Sequence, residues 1–300
     1  MSNFWRKYRS CRHDSVLFDF AVDANILRLI LLCLAGGLLY VTGFWRRKAA
    51  EAAFAAAQTA DSKEQRDRFC RIAVLTGHRD ACRMFCLARS DFFQERQPLK
   101  PFKSRGIRMT FYGHYYPSRY KDLLDDEQRA FCHSLYQFKE GEIHGIEFFK
   151  ACMTALQLDG KPYHIMFMPC SDEFKYARRF KRLDWYIGKH RPELTSGLYD
   201  VDVSEPRESL HEAKGGDNRI LERNYSIMGN IKGKEIIIID DVLTTGKSVA
   251  DYKEEIERCG GKVVAAIFFG KTVTMPPLFL IKAHVWGSYV VNGIKGTAKS

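Results

Sequence analysis

The nine cysteines contain no CxxC pair, which excludes a zinc ribbon and a paired redox motif. Their number is odd, and most fall in stretches with helical patterning, where Cys acts as a small apolar residue. A reducing compartment fits this better than a disulfide framework. No repeat array is present: a single Ala73-Gly77-Ala81 spacing is one helix-pair unit, too little to bury a solenoid core. No nucleic-acid motif accompanies the basic balance of the chain, whose net charge is +11 and whose pI is about 9.2 over 300 residues. The excess therefore points to anionic partners as a class: phosphate ligands, an anionic membrane surface, or nucleic acid.

Charge is also scarce in one place. Ile26 to Trp45 carries only Arg28, and Arg46-Arg47-Lys48 follow at once. A run of this length spans a bilayer, with Arg28 snorkelling at one end and Tyr40, Phe44 and Trp45 near the other. A signal peptide and a buried core helix are the alternatives. The first would place Trp-Arg-Arg-Lys in its cleavage region, and the second normally shows a polar face. The expected order is an amino-terminal segment 1–25, a transmembrane helix 26–45, a helical neck 46–100 and an α/β domain 101–300. The basic cluster beside the run favours a cytoplasmic carboxyl-terminal domain, although Arg6, Lys7, Arg9 and Arg12 blur the asymmetry. The neck offers a surface for a protein partner.

In the carboxyl-terminal domain, periodicity predicts strands over 107–112, 163–168, 236–239 and 263–269. It predicts helices over 125–138, 142–158 and 249–259, and a further strand over 283–291. Ile236 to Ile239 is an unbroken apolar run, the pattern of a strand buried on both faces of a parallel sheet. Asp240 and Asp241 are expected to follow at its carboxyl end, where open α/β sheets place their ligands. The next residues, Val242, Leu243, Thr244, Thr245, Gly246, Lys247 and Ser248, lead into a helix. Their hydroxyls, backbone N–H groups and helix dipole would form an anion cradle. Gly246-Lys247-Ser248 ends like a P-loop, but Asp241 stands where that motif needs Gly. A Walker B reading lacks its Gly-rich loop upstream.

The stretch Glu235 to Ser248 resembles the signature of type I phosphoribosyltransferases: apolar strand, Asp-Asp, two residues, Thr-Thr-Gly-x-Ser/Thr. The resemblance implies a phosphoribosyltransferase-type parallel sheet flanked by helices. It also implies that Asp240 and Asp241 bind the ribose hydroxyls of phosphoribosyl pyrophosphate (PRPP) or a related ribose 5-phosphate ligand. Thr244 to Ser248 would take the 5′-phosphate, and Mg2+ would be carried through the substrate. Phe138-Lys139, a strand ending in Pro169, a basic run and Arg219 to Asn224 narrow the likeness to the competence-protein ComF-like branch, over roughly residues 107–272. Two departures stand out: the branch's Cys-rich zinc segment is absent, and Cys170-Ser171 replace its usual Val-Pro. Pyrophosphate candidates are Ser171, Arg178 and Arg179, which read equally as a solvated basic face. Arg207, His211, Lys214 and Arg219 fall in a Gly-containing segment, 204–219, that suits a lid or an ordinary surface loop. The expected activity is transfer of phosphoribose to an acceptor. A non-catalytic PRPP or nucleotide sensor, or a membrane-localised effector of a bacterial conflict system, remains the alternative. The acceptor and the oligomeric state are not written in the chain.

Overall fold

The computed structural model describes the backbone of residues 2–203 and 225–297, and side chains within 30–203 and 225–289. Arg207, His211, Lys214 and Arg219, the residues of the expected lid, lie outside the described residues. The chain divides into two compact units, Met1–Phe85 with Pro277–Ser300, and Cys86–Pro276.

The first unit is helical. Its first helix, α1 (Ser2–Gln58), is continuous. The part Ile30–Gln58 is long and apolar enough to cross a membrane, and its apolar window is not buried. Ser62 caps α2 (Lys63–Thr76) by accepting from the Gln65 N–H, and Gly77 at φ +105° closes it with N–H bonds to Ala73 and Val74. The third helix is α3 (Arg79–Leu87). Ala50 and Ala57 of α1 are buried with Cys70, Ala73 and Val74 of α2, and with Ala81 and Cys82 of α3. Small side chains let these helices approach closely.

The second unit begins with a short helix, α4 (Ser90–Phe93), and strands β1 (Phe102–Ser104) and β2 (Ile107–Tyr115). There follow α5 (Asp126–Lys139), α6 (Ile146–Ala155), β3 (Tyr163–Phe167), α7 (Glu173–His190) and β4 (Leu194–Ser196). A two-stranded ribbon pairs β5 (Val201–Asp202) with β6 (Ser226–Ile227). Last come β7 (Glu235–Leu243), α8 (Lys247–Arg258) and β8 (Lys262–Thr272). One helix of the first unit remains, α9 (Leu278–Thr297).

The main sheet has the order β1-β2-β8-β7-β3-β4. Only β1 runs antiparallel to its neighbour. This is a mixed α/β unit whose sheet is mostly parallel and flanked by helices. Every residue of β3 and each of Ile236 to Ile239 is buried, as the apolar run predicts for central strands. From β3 the chain moves outward through α7 to β4. From β7 it moves the other way, through α8 to β8. The order therefore reverses between β3 and β7, the switch point where open α/β sheets form their ligand crevice.

The strand expected over 283–291 is a helix. Val and aromatic residues raise strand propensity there, yet Ile281 and Val285 are both buried while Ala283 between them is exposed. A strand would put all three on one face, whereas a helix puts only the residues four apart together.

Candidate functional site at the carboxyl ends of β3 and β7

Asp240 and Asp241 do not follow the strand; they are part of it. β7 continues to Leu243 because β8 keeps pairing with it, Asp240 opposite Phe268 and Leu243 opposite Lys271. On the other side β3 leaves the sheet after its Phe167 pairs with Ile239. That edge of β7 opens at the level of the acids.

Asp241 is almost buried and lies in an ion cluster. Its Oδ2 sits 2.7 Å from Arg179 Nη1 and 3.4 Å from Lys139 Nζ. Asp240 is half-buried and accepts the Asp241 backbone N–H at 2.7 Å. Burial, reinforced by the charge of Asp241, pushes the Asp240 carboxyl well above the ordinary range. Burial acts on Asp241 the same way, but Arg179 and then Lys139 outweigh it and hold that carboxyl below the usual value. The two acids are thus chemically different: one carries a stable, paired charge, and the other resists ionising until a ligand or cation arrives.

Lys139, quoted for its family resemblance alone, is a member of this cluster. It is placed by the residue before it. Phe138 is fully buried, with ring centroids 5.2 Å from Phe148 and 5.3 Å from Phe269. The turn after it is also fixed from outside. A Cβ on Gly141 would lie 2.1 Å from the Arg178 carbonyl oxygen, so the end of α5 packs directly on the α7 backbone. Arg178 and Arg179 then part company: Arg178 pairs with Glu140, whereas Arg179 turns to Asp241.

Ser171 lies in the loop that leaves β3, half-buried, and its hydroxyl reaches Asp172 at 3.4 Å. Asp172 caps α7 by accepting the Lys175 N–H. Burial pushes the Cys170 thiol up to about 12, with Arg179 pulling against it, so Cys170 stays protonated and is not a nucleophile.

Of the expected cradle, Val242 and Leu243 are strand residues whose neighbours across β8 are Gly270 and Lys271. The open loop is Thr244 to Ser248, where all but Gly246 are exposed. Gly246 has φ +75° and stands immediately before α8. The Thr245 hydroxyl accepts from the Lys247 N–H at 3.4 Å. Sequence reasoning missed a cation here. Arg105, at φ +48°, and Gly106, at φ +76°, form the tight turn between β1 and β2. The Arg105 Nε–H donates to the Thr245 carbonyl at 3.4 Å. Two positive φ values identify a hairpin turn, but Arg-Gly lacks the Asn or Asp that normally announces one.

A cavity of about 400 Å3 adjoins the loop, lined by Thr244 to Gly246, His114, Lys271 and Arg96. His114 and Lys271 are register partners at the carboxyl ends of β2 and β8. His114 Nε2 is buried with no hydrogen-bond partner among the described residues. Burial lowers the His114 pKa to about 4, with Asp91 opposing and Lys271 assisting. Burial also lowers Lys271.

A pH dependence follows. As pH falls below 6.5, the unfolded chain takes up a proton that folded His114 refuses until about pH 4. Stability therefore drops across that window and levels off beneath it, by roughly 3 kcal/mol if the full shift is realised. Hydrogen exchange in β2 and β8 should quicken from pH 6.5 to 4 in the wild type, corrected for intrinsic rates. It should do so much less in His114→Gln. Equal acid sensitivity in both would assign the loss to other groups.

No family model matches the chain. Over 57 residues it is 42% identical to the orotate phosphoribosyltransferase of Sulfolobus acidocaldarius, a match covering 19% of this chain. This likeness supports a phosphoribosyltransferase-type fold. The match spans about a quarter, 26%, of the length of that relative. A phosphoribosyltransferase-type sheet accounts for the acids and the loop lying at one end of β7. Among the described residues no group of three or more His, Cys, Asp or Glu side chains could hold a metal by itself. A divalent ion at Asp240 would need most of its oxygen ligands from a substrate.

Proposed function

We propose that this chain is a membrane-anchored phosphoribosyltransferase that binds PRPP with Mg2+, in the ComF-like branch. The observation that carries the reading is the joint position of Asp240-Asp241 and the open Thr244–Ser248 loop on β7, beside the switch point of the sheet. Two carboxylates suit vicinal ribose hydroxyls, and an exposed loop whose backbone N–H groups precede a helix suits the 5′-phosphate. Asp240, whose charge is suppressed without a ligand, fits a cation carried on substrate oxygens. Mg2+ would supply charge neutralisation on the pyrophosphate.

Transfer requires the C1–oxygen bond of PRPP to break as an acceptor nitrogen bonds to C1, with pyrophosphate leaving. Arg179 and Lys139 are the cations nearest the acids, and they can shift from Asp241 toward the leaving oxygens as charge develops. Ser171 and the backbone near it lie at the same crevice. The cavity beside the loop, with Lys271, Arg96 and the unpartnered His114, is where the acceptor would sit. Membrane attachment through α1 is supported by the unburied apolar stretch and its basic flank. A cytosolic supply of PRPP and the basic cluster after the apolar stretch favour a cytoplasmic second unit.

The deciding experiment is acceptor-dependent pyrophosphate release from Mg2+-PRPP by the purified full chain, screened over heteroaromatic bases and amines. Release with one acceptor establishes transfer. Tight PRPP binding without consumption across the panel would replace the transferase by a sensor of the same ligand.

The loop gives an independent prediction. Gly246→Val places a β-branched residue at φ +75°, although its Cβ would meet only ordinary contacts, Leu243 at 3.6 Å and Arg105 at 3.9 Å. The cost is conformational, about 1–2 kcal/mol or more. We expect ribose 5-phosphate affinity to fall roughly tenfold while the rest of the second unit keeps its hydrogen-exchange protection. Unchanged affinity would move the phosphate away from this loop.

A further inference from the structure

The first unit holds a second cluster of cations that the transferase reading does not use. A cavity of about 310 Å3 is lined by Arg46, Arg47, Arg79 and Lys282, together with His78 and Glu51. These come from three helices and the turn between α2 and α3, so the cluster is assembled by the fold. All four cationic side chains are exposed. Among the described residues none of them makes an ion pair, and the one acid, Glu51, is spoken for by Lys48 at 3.6 Å. Lys282 stands over the end of α2, its Nζ 3.7 Å from where a Gly77 Cβ would be. His78 is fixed by stacking on Phe54 at 4.1 Å and by accepting the Ala81 N–H at its Nδ1.

Position identifies the ligand. The cavity begins at the residue after the apolar stretch, where Tyr40, Phe44 and Trp45 are all exposed in the manner of an interfacial aromatic belt. Phe279 and Leu280 lie within a turn of Lys282 and are exposed as well, at 67% and 47%. Apolar side chains bordering four uncompensated cations match a molecule with an anionic head and hydrocarbon tails. A free phosphate would have no use for the exposed Phe279.

We propose that Arg46, Arg47, Arg79 and Lys282 form a binding site for the headgroup phosphate of an anionic phospholipid. The inference rests on the membrane reading of α1. It predicts that the full chain discriminates between lipids rather than merely residing among them, each cation contributing about fivefold.

The test uses the full chain in neutral detergent micelles, titrated with phosphatidylglycerol or phosphatidylcholine and read by native mass spectrometry. Phosphatidylglycerol should bind preferentially. Arg47→Gln/Lys282→Gln should lose roughly twenty-five-fold in affinity, and so should Arg46→Gln/Arg79→Gln. Arg68→Gln, an exposed cation on α2 outside the cavity, should lose nothing. Circular dichroism of each variant reports whether the helices are intact, and two independent pairs keep the result readable if one misfolds. Equal binding of the two lipids, an equal loss in Arg68→Gln, or displacement of the lipid by an equal concentration of inorganic phosphate would overturn the proposal. An alkaline wash of native membranes separates the two layers of the inference. A retained chain without lipid preference leaves the anchor standing and removes the site, whereas a released chain removes both.

Discussion

Asp240→Asn and Asp241→Asn should each weaken Mg2+-PRPP binding by on the order of a hundredfold, because each removes charge-assisted hydrogen bonds to the sugar. Their effects on the empty protein should differ in sign. Asp240 has its carboxyl raised by burial and by the neighbouring Asp241, so replacing it with a neutral isostere removes a repulsion and leaves stability equal or higher. Asp241 holds its charge against burial through Arg179 and Lys139. Its replacement leaves two cations facing a neutral amide, one of them with only 15% of its side chain exposed. Stability should therefore fall. Isothermal titration with Mg2+-PRPP reads the first effect, and hydrogen exchange of β7 reads the second. Full affinity in both variants would remove the acids from the ligand site. A stability loss shared equally by both would contradict the charge assignment.

The central strands and the acids were legible because their signals are local. Four consecutive isoleucines have one comfortable place, between two helical layers. Asp125 announces α5 by a reciprocal cap with Gln128, the side chain of each meeting the backbone N–H of the other. The partners of Asp241 were not legible. Lys139, Arg179 and Asp241 are brought together by the packing of α5 and α7 against the sheet, and no spacing along the chain encodes that meeting. Arg178 and Arg179 look interchangeable as letters. Helical geometry separates them by about 100°, which sends one to Glu140 and the other to the acid. The end of β7 was misplaced for a related reason. Pairing by β8 extends the strand through two charged residues that local propensity would exclude. Arg105 reached the loop through a turn whose residues carry little turn signal.

The cluster itself gives the last prediction. Arg179 is charged, nearly buried, and 2.7 Å from an acid that is 9% exposed. Removing one member of such a pair strands the other in a poor dielectric, at a cost of about 3–5 kcal/mol for a fully isolated charge. Lys139 remains 3.4 Å from Asp241, so Arg179→Met should cost less, roughly 2–3 kcal/mol. The double variant Arg179→Met/Asp241→Asn should recover much of that loss, because it removes both charges together. A double-mutant cycle on hydrogen exchange in β7 and α7 isolates this coupling from the packing of the Arg179 stem. Catalysis separates the remaining roles. If Arg179 serves only to hold Asp241, a lysine in its place restores affinity and turnover together, since a point charge is enough to pair one carboxylate. If it meets the leaving pyrophosphate, Arg179→Lys restores PRPP affinity but leaves turnover depressed by on the order of a hundredfold, because an ammonium cannot reproduce the two-pronged donation of a guanidinium. We expect the second outcome. Additive losses in the cycle would show that the 2.7 Å approach carries no coupling and that Asp241 owes its charge to Lys139.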